Sequence, residues 1–197
     1  MQLDELTPIA SAAIPVSALV AHLRLGTGFV DDGAEDAVLE TYLRAAISAV
    51  EARTGKAILQ RRFQWTLQGW HRTDGQGLPL APVQVIESFT LRDASGAATV
   101  IDAADYVLRK DSQRPTLAPR GGCLPAIAQN GAAEIIFEAG FGPDWADVPD
   151  DLRHAILVLA ANYFDHRHGA AERAHEIPFG VMALLEPYRP VRLGGRA

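Results

Sequence analysis

The chain closes on Ala139-Gly140-Phe141-Gly142, then Asp147-Val148-Pro149, an apolar run from Leu152 to Phe164, and Ile177-Pro178-Phe179-Gly180-Val181-Met182-Ala183-Leu184-Leu185-Glu186-Pro187-Tyr188-Arg189, with a short basic tail behind it. Asp147 is a candidate cap, and Pro149 suits a first helical turn because its missing N–H would have no partner there. Leu152, Ile156, Leu159 and Tyr163 mark one face of the helix, and Leu157, Val158 and Phe164 widen it. A helix apolar over that much of its circumference belongs to a core or lies between subunits. Beyond Glu186 the tail carries Arg189, Arg192 and Arg196 with no acid, and Pro187 and Pro190 keep it extended. Tyr188, Val191 and Leu193 give that extended peptide apolar side chains to bury on a partner. The quarter predicts assembly rather than catalysis.

Working outward, residues 1–14 are small and mixed, are broken by Pro8 and Pro15, and are predicted to form an arm. Val16, Leu19, Val20 and Leu23 predict a short helix over 15–25. A stronger one follows over 34–54. Asp32 and Glu35 have capping-box spacing, Leu39, Leu43, Ala46 and Val50 form its stripe with Tyr42, Ala45 and Ala49 alongside, and Gly55 is placed to end it. Between 59 and 141 the chemistry changes to strands: Phe63, Trp65 and Leu67 alternate with Gln64, Thr66 and Gln68. Further strands are predicted at 83–91, 99–101, 106–108 and 133–137, with a hairpin turn at Asp93-Ala94-Ser95-Gly96. Residues 110–131, rich in Pro and Gly, read as a long loop, and helix returns over 149–167.

Composition narrows the function. At 197 residues, 48% hydrophobic and 21% charged, the chain has the make-up of one soluble globular domain. Its net charge of −6 argues against broad, nonspecific DNA binding. The single cysteine, Cys123, permits no intrachain disulfide, the apolar runs are too short for a membrane helix, and acids at Asp4 and Glu5 stand where a signal peptide carries positive charge. The expectation is a chain that is cytoplasmic when made.

No residue set composes a catalytic, cofactor or metal site. His154, His166, His168 and His175 lack zinc-protease spacing, and His166 and His168, two apart, point to different sides of a helix. Cys123 has no cysteine-enzyme signature around it. Asp31-Asp32, Glu35-Asp36 and Asp150-Asp151 all fall at predicted helix starts, where the dipole favours acids. Gly26-Thr27-Gly28 has no Gly-Lys-Ser/Thr after it, so it is not a phosphate loop.

The order of Val20-Ala21-His22-Leu23-Arg24-Leu25, Ala49-Val50-Glu51-Ala52-Arg53-Thr54-Gly55, Phe63-Gln64-Trp65-Thr66-Leu67, Leu80-Ala81-Pro82-Val83, Asp105-Tyr106 and the closing motifs resembles the head–tail connector (adaptor) proteins of long-tailed bacteriophages and phage-like gene transfer agents. The resemblance covers about residues 15–190. It implies an α+β fold: a helical connector bundle, with an N-terminal helix pair and a long C-terminal helix, carrying an inserted antiparallel β region. It divides the chain into an arm at 1–14, a connector domain at 15–186 and an extended tail at 187–197. It also implies a ring of roughly twelve copies at the neck of a particle, seated on the portal protein, meeting the next head-completion or tail component, and passing DNA without sequence-specific binding. The portal contact carries over to Leu184, Leu185, Tyr188, Arg189, Val191, Arg192 and Leu193, with no cofactor and no membrane involved.

Two other classes remain to be weighed. An enzyme would need a cleft holding Cys123 beside His154 or His166. A DNA-binding regulator would use 16–25 and 34–53 as a helix-turn-helix, but the linker is long and Arg44 and Arg53 face Glu35, Asp36, Glu40 and Glu51.

Overall fold

The computed structural model describes residues 1–25, 34–166 and 177–189. They form four α-helices and eight strands in two compact units, one built from Met1–Pro8 with Leu59–Phe141, the other from Ile9–Ile58 with Gly142–Ala197. In chain order the strands are β1 (Gln2–Glu5), β2 (Arg61–Leu67), β3 (Gln76–Gly77), β4 (Val83–Arg92), β5 (Ala98–Val100), β6 (Tyr106–Arg109), β7 (Thr116–Pro119) and β8 (Ala132–Ala139). The helices are α1 (Val16–Leu23), α2 (Ala34–Thr54), α3 (Asp150–Asp165) and α4 (Phe179–Leu185).

In the first unit every recorded strand pairing is antiparallel, in a five-stranded sheet ordered β1-β2-β8-β4-β5 and a three-stranded sheet ordered β3-β7-β6. The alternation in β2 puts Phe63, Trp65 and Leu67 inward, and β8 answers with Ala133, Ile135, Phe137 and Ala139, all buried. Phe63 sits opposite Phe137 in the ladder, their rings stacked at 5.8 Å. Each such aromatic is worth about 1.5–3 kcal/mol in burial, so the β unit has a core of its own.

The expected helical bundle is therefore corrected. Only α2 and α3 are long, at 21 and 16 residues against 8 for α1 and 7 for α4. The strands are not decoration on helices but a separate packed unit. The reason lies in pairing over distance. β1 completes the sheet by matching Gln2 with Thr66 and Glu5 with Phe63, although the sequence reads as an arm at that point. β7 crosses the stretch read as loop, with Leu117 and Ala118 buried between Pro115 and Pro119 and paired to β6 and β3.

The hairpin turn follows the sequence. The Asp93 carboxylate accepts from the Ser95 N–H at 2.8 Å, the Ser95 hydroxyl at 2.6 Å and the Ala97 N–H at 3.0 Å. Those bonds, the Ser95 hydroxyl first, hold the Asp93 carboxyl below the ordinary aspartate range. A carboxyl whose folded pKa is lowered stabilises fully above its unfolded pKa, and the effect is lost as pH falls through the folded value. Amide protection factors at Ser95 and Ala97 are accordingly expected to drop in acid, and Asp93→Ala should remove that protection at neutral pH, as read by hydrogen exchange. Unchanged protection in the variant would disprove the turn's dependence on Asp93.

In the helical unit α3 packs against α1, α2 and α4. The buried face of α2 is Leu39, Leu43, Ala46, Ile47 and Val50, so Ile47 joins the expected stripe and Ala45 is exposed. Gly55 closes α2 in a left-handed conformation, φ 65°, donating its N–H to Glu51 O at 2.8 Å. Glu35 and Asp36 do occupy the first turn of α2; Asp32 lies outside the described residues. Asp147 caps a short 3-10 turn, Trp145–Asp147, reciprocally with Asp144, while Pro149 takes the position before α3. Leu152, Ala155, Ile156, Leu159 and Ala160 are fully buried, whereas Leu157, Val158, Tyr163 and Phe164 stay half-exposed. Among the described residues no helix is long and apolar enough to cross a membrane.

Candidate functional site

The C-terminal segment is built on α4. Val181 and Leu185, four apart, are fully buried and anchor it in the helical unit. That spacing turns Phe179 away from the buried face, and the residue is 89% exposed. A 3-10 turn, Glu186–Tyr188, follows directly, its first carbonyl accepting from the Arg189 N–H at 3.3 Å. Arg189 also pairs with the Glu186 carboxylate at 2.9 Å. Burial, with the negative charge of Asp151 adding to it, raises the Tyr188 hydroxyl above the ordinary tyrosine pKa, so this ring is already partly packed.

The seven residues expected to contact a portal thus divide. Leu185 belongs to the protein's own core. Leu184 and Tyr188 are half-buried and Arg189 is exposed beside them. Val191, Arg192 and Leu193 lie outside the described residues. The prominent exposed group, Phe179, was not among the seven. Its signal was legible: once Val181 and Leu185 are taken as the anchored positions of a short helix, Phe179 falls off their face.

Cys123 is exposed at a cleft of about 340 Å³ lined by Phe89, Ile101, Asp105, Tyr106 and Arg120, and the cleft's lining contains no histidine. His22 and His154 meet edge to face, ring centroids 6.2 Å apart, within the helical unit. The His166 ring is bonded to Asn162 O at 2.8 Å; His168 and His175 lie outside the described residues. Among the described residues no group of three or more His, Cys, Asp or Glu is arranged to hold a metal. Asp150 and Asp151 sit in the first turn of α3, and Asp150 is paired with Arg153. Arg44 on α2 is engaged by Glu40, at 2.7 Å, and by Ile9 O, at 3.0 Å, so it is not presented to a phosphate.

Comparison with solved structures places the chain among known proteins. The chain is 48% identical to a chain in the neck of an empty gene transfer agent (GTA) particle computed with C6 symmetry, covering 100% of both chains at a TM-score of 0.90. It is 47% identical to a chain of the virion of a native GTA particle, over 100% of this chain and 99% of that one, TM-score 0.88. A third match, from the neck of a native GTA particle computed with C12 symmetry, is 43% identical over 100% of both chains, TM-score 0.86. No protein-family model and no curated protein matches the chain. The class is a structural component of a phage-like particle. The chain belongs to the family of gene transfer agent neck proteins.

Proposed function

We propose that the chain is the head–tail adaptor of a gene-transfer-agent-type particle. Copies form a ring on the portal vertex, extend the DNA channel toward the tail and meet the next head-completion or tail component below. The observation that carries this reading is the end-to-end similarity to a GTA neck chain, 48% identical over 100% of both. Necks computed with C6 and C12 symmetry are made of repeated copies around an axis, which is the geometry a ring of this chain requires. The half-exposed Leu157, Val158, Tyr163 and Phe164 supply apolar surface for neighbours. A net charge of −6 suits a channel that lets DNA slide rather than holding it.

In this reading the segment from Leu184 through Tyr188, Arg189, Val191, Arg192 and Leu193 grips the portal, with buried Leu185 fixing its root in the helical unit. The role is structural, with no reaction assigned to the chain. The test is to mix the purified chain with portal rings and image them by electron microscopy. An added ring of density coaxial with the portal is the expected result; portal rings that remain bare at saturating chain would overturn the adaptor reading.

A further inference from the structure

Five of the seven large apolar side chains exposed among the described residues lie at the two outer edges of one sheet. Leu3 on β1, with Met1 and Leu6 on either side of the strand, stands at one edge; Val85 on β4 and Val100 on β5 stand at the other. Both edges are open. β1 pairs with β2 alone, and β5 covers β4 only from Thr90 to Arg92, leaving residues 83–88 of β4 with β8 as their single ladder partner. An unpaired strand edge is a template for another strand, and proteins usually blunt it with charged side chains, lysine above all, or proline. β1 has neither lysine nor proline, and its charges, Asp4 and Glu5, are acidic, so a basic partner edge is needed to pair with it.

The two edges are also complementary. Beside the open stretch of β4 runs a cleft of about 210 Å³ lined by Val85, Ile86, Val107, Leu108, Lys110 and Arg120. Neither Lys110 nor Arg120 is in an ion pair among the described residues, and Glu87, the acid on β4, is held by Arg62 at 2.5 Å. β1 reads Gln2-Leu3-Asp4-Glu5, one apolar residue followed by two acids. Glu5 is paired with Arg61 at 3.4 Å, whereas Asp4 is bonded within its own strand by the Gln2 amide at 3.0 Å, which leaves its charge uncompensated. An apolar and acidic strand therefore matches an apolar and basic groove.

Direction agrees as well. β1 is antiparallel to β2, β2 to β8, and β8 to β4, so β1 and β4 run oppositely. A second copy carried round a ring axis that runs along the strands keeps its strand directions, so its β1 meets the first copy's β4 antiparallel. Register shifts in β4, between Val83 and Val85 and between Ile86 and Ser88, limit the length a straight partner can follow, and β1 is only 4 residues long.

We propose that β1 of one copy adds antiparallel to the open edge of β4 in the neighbouring copy, joining their five-stranded sheets, an inference that rests on the ring reading above. The test uses the full chain assembled on portal rings. With Cys123→Ser as background, Leu3→Cys and Ile86→Cys together, which lie on the sheet face of Trp65 and Phe137, should give a ladder of disulfide-linked multimers after mild oxidation. Either cysteine alone, or the unassembled chain, should not. Separately, Asp4→Lys should lower incorporation into rings several-fold and Lys110→Asp in the same chain should restore it, a rescue that a merely structural role of either residue would not produce. Rings that form with neither cross-link nor charge rescue would overturn the strand joining and leave the ring reading standing. Failure of the unsubstituted chain to enter rings at all would overturn both.

Discussion

A chain ending at Glu186 is expected to fold as the full chain does and to lose its grip on portal rings. Folding survives because the anchors of α4, Val181 and Leu185, precede the cut and are fully buried. What is lost from the described structure is small: the half-buried Tyr188 and the exposed Arg189–Glu186 pair, a class of contact worth about 0–1 kcal/mol. The thermal midpoint should therefore move little. Binding is different, because the removed segment contains Tyr188, Arg189, Val191, Arg192 and Leu193, an aromatic, two guanidiniums and two aliphatics. Two anchors of that kind at a docked surface contribute on the order of 4 kcal/mol, roughly a thousand-fold in affinity. Sedimentation of portal rings with either chain measures the difference, and equal affinity of the two would remove the tail from the contact.

The second large effect is expected at Gly140, in the Ala139-Gly140-Phe141-Gly142 turn that leaves β8. Its φ is 136°, a backbone region that residues with a side chain rarely adopt. A Cβ placed there would fall inside the van der Waals envelope of the Gln60 backbone N and Cα, where the chain enters β2. Neither the Gln60 backbone nor Gly140 itself is free to move aside. Gly140 donates its N–H to Pro82 O at 2.9 Å, and Gln84 Nε2 donates to Gly140 O at 2.7 Å. Gly140→Val must break one of these contacts or distort the β2–β8 ladder. A cost above about 3 kcal/mol is expected from strain and overlap together, measured as a lowered denaturant midpoint with loss of the β unit's near-UV signal. A variant within about 1 kcal/mol of the parent would show that the turn relaxes.

Gly142 shows why the same dipeptide spacing serves two ends. A Cβ at Gly142 would strike the Asp147 side chain, the group that accepts from the Asp144 N–H at 3.0 Å in the turn before α3. The motif thus marks a place where the chain leaves a strand and enters a helix with no room for side chains on either glycine. From the sequence it was one of the motifs carrying the resemblance, with no reason for its glycines, because close approach between Gly140 and Gln60 joins residues far apart in the chain.

Periodicity made much of the local structure legible. The alternation Phe63, Trp65, Leu67 named the inward face of β2, and the stripe Leu39, Leu43, Ala46, Val50 named the buried face of α2. Turn chemistry placed the Asp93 hairpin and the left-handed Gly55. These readings held because each depends on neighbours within a turn or two of the same element. The helical bundle failed for the opposite reason. Gln2–Glu5 and Thr116–Pro119 are too short to show a period, and they are strands only because β2, β6 and β3 supply the hydrogen bonds.

The candidate site divides along the same line. Sequence alone determined that the tail is basic, proline-broken and supplied with spaced apolar side chains, since those are properties of composition and covalent geometry. It also determined that the aspartate pair Asp150-Asp151 belongs to a helix start. Only the tertiary structure decided that Leu185 is core while Phe179 is bare, and that the five-stranded sheet has β1 at one edge and β5 at the other. Burial and edge exposure are set by which elements pack together, and those partners are distant in sequence, so no local pattern could report them.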